Sequence, residues 1–360
     1  MEYSIDELTK IEPYSLNKDE KRKLYTEKLT ELTWYHYERC EEYRKIVDAL
    51  GYHKGEQIIP EDMPMIPVRL FKEHELMSVP KEDIVKTMTS SGTSGQKVSK
   101  IFLDKVNTQN QTRVLTNIIS SFIGKKRLPL LILDSKQVLK DRKMFSARGA
   151  GIIGFSTFGR NVTYALDENM DIDIEAVEAF VNEHQDTPIL MFGYTYMIWQ
   201  YVICALRDKG VCLNIKDGIL FHIGGWKKLK DQAVDTLTYN NMVREAMGNV
   251  NVHNYYGMAE QLGSVFVECE YGHMHCSAFS DVIIRNPYDF SAVENGQRGL
   301  IELQSLLPTS YPGHVLLTED EGEILGEDDC PCGRLGKYFK IHGRIKGAEI
   351  RGCSDTYEKR

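Results

Sequence analysis

The sequence predicts an α/β protein with a β-rich final part. Four short apolar runs, with helix-length segments between several of them, have the length and composition of buried strands. After Gly263 the pattern becomes shorter, more alternating and richer in turns, as in GLIELQSLL and PGHVLLTEDEGEIL, which indicates a β-rich subdomain. The four predicted strands lie at 130–133, 189–192, 219–223 and 250–252.

Length and composition exclude several classes of protein. With 360 residues, 42% of them hydrophobic and 27% charged, the chain can bury a large core, as one large domain or as two or three closely packed ones. A net charge of -8 argues against a nucleic-acid ligand. We expect a cytoplasmic protein without a membrane span, because no stretch approaches roughly 18 apolar residues and the start, MEYSIDELTK, lacks a signal-peptide pattern.

The first part of the chain is predicted to be mainly helical. Residues 18–50 are highly charged and have helical periodicity, with Asn17 available as an N-cap. The next segment, PEDMPMIPVRLFKEHEL, carries Pro60, Pro64 and Pro67, which favour an extended connector over a helix. On one face of the predicted helix recur Tyr25, Leu29, Leu32 and His36.

Residues that suit a ligand site follow the predicted strands. In open α/β sheets ligands bind at the carboxyl ends of the strands, so one cleft could collect residues from all four. These residues are Asp134, Gly193, the pair Gly224 and Gly225, and the run Tyr255, Tyr256 and Gly257.

The strongest local motif is a loop of hydroxyls and glycines, TSSGTSGQK, directly after the β-like IVKTM. Glycines let backbone N–H groups approach phosphate oxygens, the hydroxyls add donors, and Lys97 or Lys100 can supply a positive charge. A flexible Ser/Gly linker is the alternative, but the loop stands between two apolar segments and not between domains. The predicted phosphate-binding residues are Ser90, Ser91, Gly92, Thr93, Ser94 and Gly95, with Lys97 as a catalytic cation.

Two other nucleotide-binding motifs do not explain the sequence. Gly92 and Gly95 are too close together for the G-x4-G-K-[ST] spacing of a Walker loop. The run GAGIIG at 149–154 satisfies G-x-G-x-x-G, but no convincing strand precedes it, so dinucleotide binding is disfavoured. ATP would therefore be held by a different architecture.

The loop SSGTSGQ resembles the phosphate-loop signature of the adenylate-forming superfamily, which includes acyl-coenzyme A synthetases, peptide-synthetase adenylation domains and luciferases. The run YYGMAE, which ends at Glu260, resembles the superfamily motif Y-G-x-T-E, in which the aromatic residue flanks adenine and the glutamate helps to hold magnesium. Ala259 departs from that motif, because it lacks the usual hydroxyl near the α-phosphate. A core tyrosine beside a surface glutamate is the alternative interpretation.

Three shorter matches follow in the order of the superfamily. Gly224 and Gly225 resemble the glycine pair that lets adenine approach the backbone. Asp320 occupies the place of the aspartate that binds both ribose hydroxyls, and Gly343-Arg344 resembles the hinge. The resemblance implies the large N-terminal domain of an adenylate-forming enzyme, with layered α/β subdomains, and ATP and Mg²⁺ as cofactors.

The cysteines of the β-rich part have the composition of a closed zinc site. Eight cysteines in a cytoplasmic chain of this length indicate thiols or metal ligands, not disulfides. CPCGR resembles the corresponding segment of phenylacetate-type coenzyme A ligases, some relatives of which carry a structural zinc; ordinary reduced thiols are the alternative. The predicted zinc ligands are Cys269, His275, Cys330 and Cys332, with His273 or Cys276 as substitutes.

Most of the chain resembles the acyl-protein synthetases, the fatty-acid-activating subunits of the bacterial luminescence reductase complex. The likeness is carried by IPVRLFKEHEL, TSSGTSGQKVSK, FSARGAGIIGF and GRIKGAEIRGCSD. In that family an acyl-AMP forms, the acyl group moves to a cysteine near the carboxyl terminus, and a partner reductase receives it. Cys353 matches that cysteine and stands amid Arg344, Lys346 and Arg351, whose charge favours a thiolate; an inert exposed thiol is the alternative.

The resemblance also implies how the chain is divided. We expect the small C-terminal domain of coenzyme A ligases to be absent or severely truncated here. We further expect GAGIIG to form a small-residue wall along which an acyl chain passes, with Phe192, Gly193 and Tyr194 opposite it. The expected parts are an adenylating domain at 1–342, comprising a helical lead-in at 1–86, an α/β nucleotide-binding core at 87–262 and a β-rich zinc subdomain at 263–342, and a tail at 343–360 that carries Cys353.

The predicted reaction is attack of a carboxylic, and by resemblance fatty, acid on the α-phosphate of ATP, with magnesium at Glu260 and pyrophosphate leaving. The Cys353 thiolate then takes the acyl group as a thioester and passes it to an acyl-accepting reductase or another thioester-accepting protein. One alternative is an acyl-coenzyme A ligase of the phenylacetate type, which would need free coenzyme A and no essential Cys353. A non-catalytic acyl- or nucleotide-binding subunit is the other.

Overall fold

The computed structural model describes residues 5–90, 97–139 and 147–345. Its described residues form two compact units, one made of 5–122 with 257–345, called the β-rich unit below, and one made of 123–256, called the parallel-sheet unit. None of the described helices is both long and apolar enough to cross a membrane. The domain limits expected from the sequence stay a prediction.

Strands and helices alternate in the middle of the chain, and strands dominate its last part. The strands are β1 (Ile66–Pro67), β2 (Ile84–Thr89), β3 (Lys100–Asp104), β4 (Leu128–Ser135), β5 (Gly159–Leu166), β6 (Ile189–Tyr194), β7 (Ile215–Ile223), β8 (Gly248–Tyr256), β9 (Phe266–Glu268), β10 (Met274–His275), β11 (Ser280–Arg285), β12 (Gly299–Ser305), β13 (Val315–Glu327) and β14 (Lys337–Arg344). The α-helices are α1 (Lys18–Arg39), α2 (Glu41–Ala49), α3 (Leu70–Glu73), α4 (Lys105–Ile123), α5 (Ala147–Ser156), α6 (Ile174–Glu183), α7 (Thr195–Met197), α8 (Cys204–Asp208) and α9 (Thr236–Met247).

The predicted N-terminal helix forms, but it is interrupted. The side chain of Asn17 accepts hydrogen bonds from two N–H groups of the first turn, and Glu20 accepts one from the Asn17 N–H, which completes a capping box. The predicted apolar face of α1 is buried. The prediction of one continuous helix over 18–50 was wrong, because the backbone is extended at Cys40 and a second helix, α2, begins after it. No Pro or Gly marks this break, which brings Cys40 and Tyr43 into one core cluster.

The proline-bearing connector is extended only in part. β1 runs parallel to β13, as an extended segment requires. The prediction of an extended connector was wrong on both sides of β1, because Pro60–Asp62 forms a 3₁₀ turn and Leu70–Glu73 forms α3. Proline suits the first position of a helical turn, since an N–H there would have no partner within the turn.

The parallel-sheet unit contains the four strands predicted from apolar runs, in the order β8-β7-β6-β4-β5, with every neighbouring pair parallel. β5 was not predicted. It lies at the end of this order, where Arg160, Asn161 and Val162 are exposed, so it lacks the continuous apolar run of a central strand. Helix α5 packs on β5 and β6, and α9 packs on β8.

The β-rich unit contains strands in the order β11-β12-β13-β14-β10-β9, and each neighbouring pair is antiparallel. This confirms the β-rich character expected after Gly263. β2 and β3 form a separate antiparallel pair, which confirms the strand expected at IVKTM. The N-terminal helices and the last strands share one core, since Tyr43, Phe71 and Leu316 belong to the same buried cluster.

Two stacked imidazoles are buried in the β-rich unit. The ring centroids of His36 and His314 are 4.8 Å apart. His36 Nδ1 lies 2.7 Å from Ser78 Oγ and Nε2 lies 3.1 Å from the carbonyl oxygen of Pro308, so Nε2 carries the proton. Burial lowers the pKa of His36 to about 3, and it also lowers the pKa of His314. Both rings are therefore neutral at pH 7.

We expect the free energy of unfolding to fall when the pH is lowered from 7 to 5. The folded-state pKa of His36 is depressed below the usual 6.5, so the unfolded chain binds more protons in this window, and stability present at pH 7 is lost as the pH falls. The expected loss is roughly 2 kcal/mol for His36 alone. Urea unfolding at each pH measures it, with His36→Gln as the control that should depend less steeply on pH; an equally steep dependence would contradict the assignment.

Candidate functional site

The neck of the predicted phosphate loop is closed by two hydrogen bonds. β2 and β3 pair up to Thr89 and Lys100. Beyond that pair, the N–H of Ser90 donates to the carbonyl oxygen of Ser99 at 3.1 Å, and the N–H of Ser99 donates to Ser90 Oγ at 2.9 Å. The loop therefore leaves and re-enters the strand pair at one fixed point. The predicted loop residues Ser91, Gly92, Thr93, Ser94 and Gly95 lie outside the described residues.

Glu260 is bonded to this neck. It lies on the 3₁₀ helix Ala259–Gln261 and is 1% exposed, so it is not the surface glutamate of the alternative interpretation. Ser99 Oγ donates a hydrogen bond of 2.5 Å to Glu260 Oε1. The loop neck and Glu260, the last residue of the YYGMAE run, thus meet in the β-rich unit. Ser99 was not predicted; its only sequence signal is a small polar residue between the valine and the lysine that follow the loop.

Lys97 and Gly257 are more exposed to solvent than Glu260. Lys97 directly follows the loop and has an exposed side chain, and Gly257 is half-buried at the start of its stretch of the β-rich unit. Their contacts with a nucleotide stay predictions.

The predicted adenine-binding residues lie at the carboxyl edge of the parallel sheet. Gly224 and Gly225 are exposed directly after β7, and Tyr255 and Tyr256 are the last residues of β8. Thr195 Oγ1 donates to the carbonyl oxygen of Gly224 at 2.7 Å. Gly224 has φ +88, a conformation that glycine adopts without strain.

A buried histidine holds that threonine in place. His222 Nδ1 lies 2.8 Å from Thr195 Oγ1, and burial lowers the pKa of His222 to about 3. A hydroxyl has one proton, so Thr195 donates to Gly224 and accepts from the Nδ1–H of a neutral His222. Neither residue was predicted from the sequence, because a threonine and a histidine at strand ends resemble ordinary core residues.

Asp320 and Arg344 are brought together by strand pairing. They are register partners on β13 and β14, and Arg344 Nε lies 3.6 Å from Asp320 Oδ1. The N–H of Asp320 also donates to Thr318 Oγ1 at 3.1 Å. The predicted ribose ligand and the predicted hinge arginine are therefore neighbours on two paired strands of the β-rich unit, while their roles stay predictions.

The four predicted zinc ligands converge in the β-rich unit. Their ligand atoms all lie within 4.8 Å of one another. Cys269 Sγ is 3.9 Å from Cys330 Sγ, close to the ~3.8 Å that two 2.3 Å Zn–S bonds span in a tetrahedron. Cys332 Sγ is 3.3 Å from His275 Nε2. The donor set fits zinc.

The predicted substitutes lie outside this group. His273 Nδ1 is 3.2 Å from Cys330 Sγ, beside the cluster, and Cys276 is buried without belonging to it. Burial raises the pKa of Cys330 to about 12, and burial lowers the pKa of His275 to about 4. His275 is therefore neutral, and a cation would be needed to hold Cys330 as a thiolate.

A buried ion pair lies at the carboxyl end of β4. Arg148 Nη2 is 2.8 Å from Asp134 Oδ1, with the two side chains 5% and 0% exposed. Burial raises the pKa of Asp134, and the Arg148 guanidinium opposes that rise. Arg148 was not predicted. Its helix, α5, approaches β6 closely, since a Cβ on Gly151 would lie 2.6 Å from the Tyr194 hydroxyl oxygen.

Cys353, the predicted acyl acceptor, lies outside the described residues. Of the other cysteines, Cys40 is buried, whereas Cys204 and Cys212 are half-buried.

Comparisons with known proteins agree with these features. A family model described as "Acyl-protein synthetase, LuxE" matches residues 2–360. The long-chain-fatty-acid--luciferin-component ligase of Vibrio harveyi is 24% identical over 331 residues, which cover 89% of this chain and 83% of the relative. The protein of the same name from Aliivibrio fischeri is 23% identical over 363 residues, which cover 96% and 90%.

The fold is also found among solved structures. An open conformation of 2-hydroxyisobutyryl-CoA ligase, in complex with 2-HIB-AMP and CoA, has a TM-score of 0.71 at 17% identity, and the match covers 94% of this chain and 78% of that one. The same ligase in the thioesterification state has a TM-score of 0.70. The predicted fold class, that of adenylate-forming ligases, is confirmed.

We expect single substitutions in the ion pair of β4 to be strongly destabilising. Asp134→Leu or Arg148→Met leaves one buried charged partner uncompensated, which costs about 3 to 5 kcal/mol, whereas the double variant with both substitutions should cost less than the sum of the two. Urea unfolding measures these losses. Arg113→Met, which removes the exposed pair with Asp6, is the control and should cost below about 1 kcal/mol. Additive losses in the double variant would argue against a coupled pair.

Proposed function

The chain belongs to the acyl-protein synthetase (LuxE) family, and we propose that it uses ATP to convert a long-chain fatty acid into an acyl-AMP and then into a thioester on its own Cys353. The observation that carries the proposal is the hydrogen bond from Ser99 to Glu260, because it joins the neck of the phosphate loop to the predicted magnesium ligand. The names of the Vibrio and Aliivibrio relatives support a long-chain fatty acid as the substrate.

In the first step a carboxylate oxygen of the acid attacks the α-phosphorus of ATP. The bond to the bridging oxygen breaks, and pyrophosphate leaves with the electron pair. Donors of the loop 90–95 and the ammonium of Lys97 would neutralise the phosphate charge. Glu260 offers the carboxylate oxygen that magnesium prefers, and the ion would supply further charge neutralisation there. The proposed nucleoside ligands are Gly224, Gly225, Tyr255, Tyr256 and Gly257 for adenine, and Asp320 and Arg344 for ribose.

In the second step the Cys353 thiol loses its proton and its sulfur attacks the carbonyl carbon of the acyl-AMP. The new C–S bond forms, the C–O bond to phosphate breaks, and AMP leaves. A thioester keeps the acyl group activated, so a reductase or another thioester-accepting protein can take it over. Because ATP is the proposed source of the AMP group, we propose that the reaction takes place in the cytoplasm.

We further propose that Cys269, His275, Cys330 and Cys332 hold a structural zinc ion. Three thiolates and one imidazole fill a tetrahedral site and leave no position for a substrate, which is the pattern of structural and not of catalytic zinc. The ion would cross-link the turn after β9 to the CPCGR segment before β14.

We expect ATP, magnesium and a long-chain fatty acid to produce an acyl adduct on the protein. Intact mass should show one acyl group per chain, labile to hydroxylamine, and Cys353→Ala should reduce the adduct to background while acid-dependent pyrophosphate release continues. Cys212→Ala is the matched control and should keep the adduct. The acids should span short to long chains.

Two outcomes would overturn this assignment. Pyrophosphate release without an adduct in the wild type would favour a coenzyme A ligase, which free coenzyme A would then stimulate. Neither pyrophosphate release nor an adduct, with any acid, would favour a non-catalytic binding subunit.

We expect about one zinc ion per chain by elemental mass spectrometry. Cys332→Ser should reduce the content below about 0.2 per chain and lower the thermal midpoint, because three ligands bind zinc far more weakly than four. Cys276→Ala removes a buried thiol outside the group and should keep the metal. Zinc-free wild-type protein with an unchanged midpoint in chelator would refute the site.

A further inference from the structure

Ser99 uses all three of its polar groups between the loop neck and Glu260. Its N–H and carbonyl oxygen bond to Ser90 at 2.9 and 3.1 Å, and its hydroxyl donates to Glu260 Oε1 at 2.5 Å. The side chain is fully buried. A displacement of the loop neck would therefore move the donor that holds this carboxylate.

The hydrogen bond from Ser99 to Glu260 belongs to a strong class of hydrogen bond. A hydroxyl that donates to a carboxylate forms a short, charge-assisted hydrogen bond, and burial removes the water that would compete for it. Burial raises the pKa of Tyr311, and the charge of Glu260 adds to that rise. The Tyr311 hydroxyl is buried and has no hydrogen-bond partner among the described residues, so it does not hold Glu260. The Ser99 hydroxyl fixes one oxygen of the carboxylate and thereby its rotation.

We propose that Ser99 is a positioning residue that holds Glu260 at a fixed place beside the loop neck and so sets the affinity of the ATP complex for its divalent cation. The inference rests on the proposed function, since it assumes that Glu260 meets a cation bound with ATP. Ser99 itself touches neither the cation nor the phosphates; it acts through Glu260.

The test uses Mn²⁺ as the probe, in the whole protein kept in excess over ATP so that the nucleotide is protein-bound. ATP binds Mn²⁺ in water by itself, so ATP without protein is the reference for the affinity that the protein adds. Free and bound Mn²⁺ are separated by electron paramagnetic resonance, so no acid substrate is needed. We expect Ser99→Ala to weaken Mn²⁺ binding about tenfold, and Ser99→Thr, which keeps a hydroxyl, to stay within about twofold of the wild type. Binding of ATP without a divalent cation, followed by calorimetry, should change less than about twofold in both variants.

Ser310→Ala provides the matched control. Ser310 is fully buried, and its hydroxyl donates to the carbonyl oxygen of Phe102 on β3 at 2.8 Å, so its loss removes one buried hydrogen bond near Glu260 without touching the carboxylate. We expect similar falls in thermal midpoint for Ser99→Ala and Ser310→Ala, but a Mn²⁺ effect for Ser99→Ala alone.

Unchanged Mn²⁺ affinity in Ser99→Ala, or an equal loss in Ser310→Ala, would overturn the inference. Wild-type protein that binds Mn²⁺ with ATP but forms no acyl-AMP from any acid would instead refute the proposed function, and the Ser99 comparison would still decide the inference. Wild-type protein that binds no Mn²⁺ with ATP would overturn both.

Discussion

Glu260 is a carboxylate that is almost completely removed from water, and the surrounding part of the β-rich unit is arranged to meet that constraint. A buried charge is costly unless donors replace the lost hydration. Ser99 supplies one donor, and it reaches Glu260 because the pairing of β2 with β3 and the bonds to Ser90 fix the strand ends. Gly313 allows close packing behind it, since a Cβ there would lie 3.0 Å from the Glu260 carbonyl oxygen. The loop neck, the 3₁₀ helix and the segment at Gly313 thus meet at one residue, Glu260.

The cysteine cluster answers a different constraint in the same unit. β9 and β10 have only three and two residues, and such short strands gain little stability from pairing alone. The turn between them is closed by the N–H of Cys269, which donates to the carbonyl oxygen of His273 at 2.8 Å. A metal bound by four ligands would join this hairpin to a segment about sixty residues later in the chain. A metal bound by these ligands would therefore stabilise two strands that are too short to gain much stability from pairing alone.

The sequence predicted the features that have a local signature. Buried parallel strands show continuous apolar runs, and the residues of a capping box lie within one helical turn. The proposed zinc ligands are cysteines and a histidine, which are uncommon residue types. What it missed depends on tertiary contacts. Ser99 and Thr195 matter through hydrogen bonds to residues 161 and 29 positions away. The break at Cys40 follows from core packing, and β5 was missed because an edge strand has a polar side. The β-rich unit joins 5–122 to 257–345, a pairing that no linear pattern reveals.

The buried polar groups of the parallel-sheet unit differ in how completely they are hydrogen-bonded. Thr195, His222 and the Gly224 carbonyl oxygen are hydrogen-bonded to one another, so these groups at the glycine turn after β7 have partners within the protein. At the end of β4, by contrast, Asp134 Oδ2 and Arg148 Nε are buried and have no hydrogen-bond partner among the described residues. Each buried polar atom that stays unbonded costs desolvation energy. Within this one carboxyl edge, the end of β4 therefore has more unbonded polar atoms among the described residues than the glycine turn after β7. We expect the acyl substrate proposed for this protein to change the surroundings of Arg148 more than those of Thr195.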